Sequence, residues 1–88
     1  TSVAGAAVLV LGDDVAAAIA WDAQRRPVPV RVAVGRAAYA TQLLGLARRH
    51  GIPVHRDAAL ADALATTGGP VPATHWPRLA QIIAAVRR

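Results

Sequence analysis

Two short apolar runs at the start of the chain have the lengths and boundaries of strands. The first covers residues 6–11 and ends at the turn formed by Gly12, Asp13 and Asp14, and the second covers 15–21. Continuous apolar runs of this length indicate strands that are buried on both faces. Because only a short turn joins them, we predict that they pair antiparallel.

A third strand is predicted over residues 28–34, where valine occupies every second position. The alternation indicates a strand with one buried face. Pro29 has no amide hydrogen to donate, so this strand begins at a sheet edge or turns that position outward. The alternating residues are Val28, Val30, Val32 and Val34.

Helical periodicity begins after Gly35, which we expect to open a helix. Its inward stripe has the i, i+3, i+4, i+7 spacing of a buried helix face. Gly51 follows the helix as a left-handed cap, and residues 52–55 predict a fourth strand. A strand, a helix and a strand in succession predict a parallel crossover. The stripe consists of Ala40, Leu43, Leu44 and Ala47.

Two further helices are predicted in the second half of the chain. Asp57 is expected to cap the first, over 58–66, with Leu60, Ala63 and Leu64 facing inward. The second starts near Thr74 and runs to the end of the chain. The sequence therefore predicts one α/β domain over residues 1–88, with a small four-stranded mixed sheet flanked by about three helices. The inward stripe of the last helix is Leu79, Ile82, Ile83 and Val86.

Composition narrows the classes of protein that remain. Ten arginines and five aspartates give the 88 residues a formal net charge of +5, which favours acidic partners, anionic lipid surfaces or nucleic acid. The chain has no cysteine, which excludes disulfides and thiol nucleophiles. Its apolar runs are shorter than the roughly 20 residues that cross a bilayer, so we expect no membrane span within it.

Several segments resemble one known family. Residues 46–54 look like its segment I-A-R-E-H-G-V-P-V, and residues 57–64 are similar to its N-P-P-L-A-R-A-L. Residues 16–22 resemble A-V-A-L-K-Y-D, and residues 29–35 match P-R-V-V-A-K-G in spacing. These matches follow one another in order along nearly the whole chain. The sequence therefore resembles the cytoplasmic export-switch domain of the FlhB/YscU family, which serves flagellar and type III secretion machines.

The resemblance implies a function in protein export. Proteins of this family carry four membrane helices before a cytoplasmic domain, which docks export substrates and switches the apparatus between substrate classes. The switch depends on self-cleavage within Asn-Pro-Thr-His, where the asparagine side chain attacks its own backbone carbonyl. The corresponding positions here are Leu11, Gly12, Asp13 and Asp14. Leucine offers no nucleophilic nitrogen and the chain contains no asparagine, so we expect no cleavage and no enzymatic activity.

The resemblance also places a substrate-docking pocket near the proline that starts the third strand. We therefore expect Val28 and Pro29 to take part in docking, with Trp76 as an aromatic wall. The alternative for these residues is a purely structural role as a strand start and a helix anchor. The implied partners are export substrates and other cytoplasmic gate proteins, at the inner face of a bacterial plasma membrane.

Other candidate sites have simpler interpretations. Asp13 and Asp14 could hold a divalent cation, but a solvated turn suits them better because Gly and Asp favour turns. The three histidines lack cysteine partners for a zinc site, and Ser2 is the only serine, so we predict no metal, no cofactor and no hydrolase triad. The histidines are His50, His55 and His75.

Three arginine doublets and the positive charge suggest a second hypothesis. Solvated surface positions are the ordinary interpretation, and binding to anionic lipid or an acidic neighbour is the alternative. A small basic domain that binds nucleic acid is the runner-up function, although the chain lacks interleaved aromatic residues for base stacking. The doublets are at 25–26, 48–49 and 87–88.

Overall fold

The fold is built on one mixed sheet of four strands, as the sequence predicts. A computed structural model describes residues 6–21, 28–66 and 71–86. The order across the sheet is β3-β2-β1-β4, with β2 antiparallel to β1 and β3, and β4 parallel to β1. Thus β3 and β4 run parallel at opposite edges. The strands are β1 (Val8–Leu11), β2 (Val15–Ala20), β3 (Val30–Arg36) and β4 (Val54–Arg56).

Three helices cover the two faces of this sheet. Helix α1 packs on one face against β2 and β3, whereas α2 and α3 contribute to the core on the other face. A 3₁₀ turn over Ala73–His75 leads into α3. No helix within the described ranges is long and apolar enough to cross a membrane. The helices are α1 (Ala38–Arg49), α2 (Ala58–Thr66) and α3 (Trp76–Val86).

Alternate side chains of β1 and β2 enter two separate cores. Val8 and Val10 join the core formed with α2 and α3, whereas Leu9 joins the smaller core beneath α1. Three consecutive alanines of β2 are completely buried. Their small side chains allow helices to approach both faces of the strand closely. The alanines are Ala16, Ala17 and Ala18.

Helix α1 ends as the sequence predicts, in a Schellman motif. Gly51 has a φ of 70°, a conformation that favours glycine. Its amide donates to the Arg48 carbonyl at 3.3 Å, and the Ile52 amide donates to the Ala47 carbonyl at 2.8 Å. Both Ala47 and Ile52 belong to the core beneath α1. The cap thereby turns the chain toward β4.

The predicted start of α1 at Gly35 is wrong. β3 continues through Gly35 and Arg36, which pair with β2, and the helix begins at Ala38. Gly35 instead permits a close approach, since a Cβ atom built there would lie 2.8 Å from the backbone carbon of Tyr39. The glycine that suggested a helix start is therefore a strand residue beneath the first turn of the helix.

The predicted fourth strand is displaced by about two residues. Ile52 completes the α1 cap, and pairing with β1 begins where the Leu9 amide donates to the Pro53 carbonyl at 2.9 Å. β4 then runs from Val54 to Arg56.

The predicted burial pattern of β3 is also only partly right. The strand lies at a sheet edge as expected, but Val34 is 40% exposed. An irregularity opposite Ala18 and Ile19 interrupts the register, so the alternation does not keep every valine on one buried face. Val28, Val30 and Val32 are half-buried.

The inward stripes of the helices are mostly confirmed. Ala40 and Ala47 of α1 are buried, while its two leucines at 43 and 44 are half-buried. In α2 the fully buried alanine is Ala61, whereas Ala63, which we expected to face inward, is half-buried. The buried residues of α3 are Leu79, Ile82 and Ile83, with Val86 packed against them.

Asp57 caps α2 as predicted and also joins it to α3. Its Oδ1 accepts the Leu60 amide at 3.1 Å, and its Oδ2 accepts Nε and Nη2 of Arg78 at 3.1 and 2.9 Å. The Leu60 hydrogen bond, followed by that from Arg78, lowers the pKa of the Asp57 carboxyl below its ordinary value of 3.8. The other end of α2 is also capped, since Nη1 of Arg31 donates to the Leu64 carbonyl at 2.7 Å.

Replacing Asp57 by alanine is expected to lower the free energy of unfolding by about 1 kcal/mol near neutral pH. Because the folded-state pKa lies below the unfolded one, the stabilisation is complete above the unfolded pKa and is lost as the pH falls through the folded value. Urea unfolding across a pH series measures it. Asp57→Asn keeps an acceptor oxygen but no charge, so it should retain part of the cap and lose this pH dependence. Equal losses in both variants at all pH values would contradict the assignment.

Two glycines should respond oppositely to alanine. Gly35→Ala places a methyl group against the α1 backbone and should destabilise the fold by about 2 kcal/mol. Gly45→Ala adds a methyl group with no atom within 4 Å and should stabilise α1 by about 1 kcal/mol, since glycine is a poor helix former. Thermal unfolding of both variants tests the β3–α1 packing. Similar unfolding temperatures for the two would show that the packing is incorrect.

Candidate functional site

The corner between β1 and β2 is a tight hairpin turn. The Gly12 amide donates to the Val15 carbonyl at 2.7 Å, so Asp13 and Asp14 alone form the loop. Neither aspartate has a positive φ, so the loop is not of the primed type that dominates two-residue hairpins. These four positions, Leu11 to Asp14, are the ones that the family resemblance aligns with the cleavage loop.

Three neighbouring elements bind this corner. The Ala37 amide donates to the Asp14 carbonyl at 2.9 Å, and the Asp57 amide donates to the Leu11 carbonyl at 2.9 Å. Nη2 of Arg56 lies 3.2 Å from Oδ1 of Asp13, in an exposed ion pair. The corner is therefore fixed by the starts of α1 and α2 and by the end of β4.

Gly12 is buried against helix α2. A Cβ atom at this position would lie 3.1 Å from the Cβ of Ala61 and 3.1 Å from a methyl group of Val15. Both distances are shorter than most side-chain contacts, so a larger residue would need its neighbours to move. The corner is thus shaped for glycine at its second position.

A cavity of about 360 Å³ opens on the α1 side of the corner. Leu11 contributes an apolar wall together with Ala40 and Leu44, and the charged groups are at its rim. Its volume is at the small end of the range for ligand pockets. The remaining lining residues are Gly12, Asp13, Asp14, Ala37, Thr41 and Arg56.

Ala37 forms the strained edge of this cavity. It has a φ of 52° and a ψ of −121°, and among the described residues other than glycine it alone has a positive φ. An alanine in such a conformation costs on the order of 1–3 kcal/mol and persists only where neighbours enforce it. The hydrogen bond to Asp14 and the following helix supply that enforcement.

The side chains at the corner are one hydrocarbon group and two carboxylates. Leu11 presents only hydrocarbon to the cavity, and Asp13 is already paired with Arg56. Within residues 6–21, 28–66 and 71–86, no group of three His or Asp side chains could hold a metal ion. His50 lies at the end of α1, His55 on β4 and His75 in the 3₁₀ turn.

The three predicted docking residues are at another part of the fold, where β3 begins. The Val71 amide donates to the Pro29 carbonyl at 3.1 Å, and the Val71 carbonyl accepts Nε1 of Trp76 at 2.8 Å. Val71 thereby connects Pro29 to Trp76, although they are far apart in sequence. Pro29 itself is fully buried, whereas Val28 and Trp76 are half-buried. Only the latter two present surface to a partner.

Trp21 also lies in this region, although no sequence pattern predicts it there. Its ring centroid is 6.2 Å from that of Trp76, with the planes inclined by 51°. Its Nε1 atom is buried and has no hydrogen-bond partner within the described part of the chain. The sequence contains one signal for this pairing. The chain has three aromatic residues, and two of them meet here.

The arginine doublets can be assessed only in part. Arg48 and Arg49 are exposed in the last turn of α1. The doublets at 25–26 and 87–88, and Ser2, lie outside the described residues.

Comparison with solved structures shows the same fold in export proteins. The C-terminal domain of EscU with a proline-to-alanine substitution superimposes with a TM-score of 0.87 and 25% identity, over 97% of this chain and 88% of that chain. The EscU domain with an asparagine-to-aspartate substitution gives 0.88 and 25%, over 97% and 82%. The cytoplasmic domain of FlhB from Shewanella putrefaciens gives 0.88 and 26%, over 97% and 68%.

Two sequence comparisons were also informative about the family. No curated protein sequence matches the chain. The profile of the FlhB HrpN YscU SpaS family matches residues 1–86, nearly the whole sequence. The chain therefore belongs to the FlhB HrpN YscU SpaS family.

Proposed function

We propose that this chain is a non-cleaving cytoplasmic domain of a flagellar or type III secretion export apparatus, which docks export substrates and gate components. Family membership and the likeness to EscU and FlhB domains support the export role and the cytoplasmic location. They favour it over the nucleic-acid hypothesis, which rests on positive charge alone. The cytoplasmic face of the plasma membrane is the expected site of action.

The chemistry of the corner carries the non-cleaving part of the proposal. The family resemblance implies that cleavage needs an asparagine side chain as the nucleophile. This chain contains no asparagine. The hydrocarbon side chain of Leu11 cannot attack a carbonyl carbon. The hydrogen bonds from Ala37 and Asp57 hold the corner together without any covalent change.

The aromatic cluster at the start of β3 supports the docking part. Val28 and Trp76 are half-buried near a buried proline, and the Trp21 ring lies tilted against that of Trp76. Interfaces concentrate binding energy in aromatic side chains that are already held in place. The Trp76 indole is fixed by its bond to Val71, so it can bind a partner with little loss of side-chain entropy.

The purified protein should remain one chain of 9.1 kDa. Intact mass spectrometry during prolonged incubation at neutral pH tests this, because cleavage would leave two fragments. A family domain that carries Asn-Pro-Thr-His at the corresponding corner, incubated in parallel, serves as the positive control, because the resemblance implies self-cleavage there. Fragments separated between Leu11 and Gly12 would refute the proposal.

Val28→Gln should weaken binding to export substrates by about tenfold or more, because it puts a polar group on the half-buried residue before Pro29, which Val71 connects to Trp76. Isothermal titration with early export substrates and with cytoplasmic gate proteins measures the change. A circular dichroism melt confirms that the variant is folded.

Val34→Gln is the matched control for this experiment. It makes the same chemical change within β3, at a valine that is 40% exposed and does not belong to the core that contains Trp21 and Trp76. Binding of export substrates by the Val34→Gln variant should be unaffected. Equal losses in both variants, or no binding of any export component by the folded unsubstituted domain, would argue against docking at the cluster.

A further inference from the structure

The outer surface of α1 carries apolar side chains that nothing in the described structure covers. Tyr39 is 69% exposed and Leu46 is 37% exposed. They are seven residues apart, which places them on the same side of the helix. Half-buried Leu43 lies between them and continues the apolar strip toward the core.

The charged side chains of α1 are both positive. Residues 38–49 contain two arginines and no acidic residue. The acidic residues within the described ranges are instead at the hairpin corner and in and before α2. Exposed Arg48 and Arg49 end the helix, and Arg49 lies one turn beyond Leu46. The outer surface of α1 is therefore cationic and partly apolar.

The shape of the surface favours a planar partner. It is the convex side of a helix, and its outermost line includes the small residues Ala38 and Gly45, both exposed. A Cβ atom at Gly45 would meet nothing within 4 Å. Stable protein partners need buried interfaces of about 1,000 Å² or more with an apolar centre, whereas here only two large apolar side chains are exposed. A membrane interface accepts such a surface, because tyrosine suits the headgroup level and arginine binds anionic lipid.

We infer that α1 is a peripheral membrane-binding element that rests on anionic lipid through Tyr39, Leu46, Arg48 and Arg49. The partner is a bilayer surface with negatively charged headgroups, and the contact is reversible because it combines a small apolar area with few charges. This inference does not depend on the docking of export substrates. It supplies an orientation, since the aromatic cluster belongs to the opposite core of the sheet.

Cosedimentation with lipid vesicles tests the inference. The chain should partition onto vesicles of phosphatidylcholine containing one-third phosphatidylglycerol and remain free with phosphatidylcholine alone. Removing both arginines in R48Q/R49Q should lower the partition constant by about 25-fold, at about fivefold per arginine. Tyr39→Ser and Leu46→Gln should each lower it severalfold without changing the net charge.

Two matched controls separate this surface from general electrostatics. Arg56→Gln removes an exposed charge at the end of β4, and Val34→Gln makes an apolar-to-polar change on β3. Both should partition like the unsubstituted protein, and thermal melts should confirm that all variants are folded. A parallel titration uses soluble polyglutamate, which offers negative charge without a bilayer. Its binding should be much weaker than vesicle binding. Leu46→Gln should leave the polyglutamate affinity unchanged.

Three results would overturn the inference. The first is absence of binding to the anionic vesicles at low ionic strength, where the attraction is strongest. The second is an equal effect of Arg56→Gln and Arg49→Gln, which would reduce the binding to net charge. The third is polyglutamate binding as strong as vesicle binding and equally sensitive to Leu46→Gln, which would assign the surface to an acidic protein.

Discussion

The burial of β1 and β2 on both faces is the constraint from which the rest of this structure follows. Apart from Ala20, each side chain of these strands belongs to or packs against one of two cores, so the buried positions cannot accommodate a polar residue or a large change in volume. The run of three alanines in β2 satisfies this condition by being small. It lets α1 approach one face while α2 and α3 cover the other. Polar and charged functions are thereby confined to the ends of the strands, the sheet edges and the outer surfaces of the helices.

The two candidate regions are both at strand ends, and each is held by backbone hydrogen bonds from other elements. At the corner, amides from Ala37 and Asp57 donate to carbonyls of the turn. At the start of β3, the Val71 amide donates to the Pro29 carbonyl, and the Val71 carbonyl also accepts Nε1 of the Trp76 side chain. Backbone bonds do not depend on which side chains are present, so the scaffold keeps its shape when the side chains of the corner differ. This explains how the fold can be retained at 25% identity to an EscU domain, where most side chains differ.

Much of the fold could be predicted from local patterns, and the errors have physical causes. Apolar runs, the Asp57 cap and the Gly51 cap each depend on nearby residues, and all three were correct. Gly35 was misassigned because its role is a close approach to the Tyr39 backbone, which only tertiary packing creates. The exposure of Val34 likewise depends on a register irregularity that alternation cannot reveal. The positions of Pro29 and Trp76 near Val71 required the folded chain, and the resemblance indicated the region without showing that Pro29 is buried.

The Gly12 amide limits what a single substitution at this corner can achieve. A proline there would lose the hydrogen bond to Val15, at a cost of about 1 kcal/mol, and its ring would press on Ala61. An Asn-Pro sequence at positions 11 and 12 would therefore need space made in α2 and a turn closed in another way. Gly12 and Ala61 thus form a matched pair of small residues that tolerates only coordinated changes.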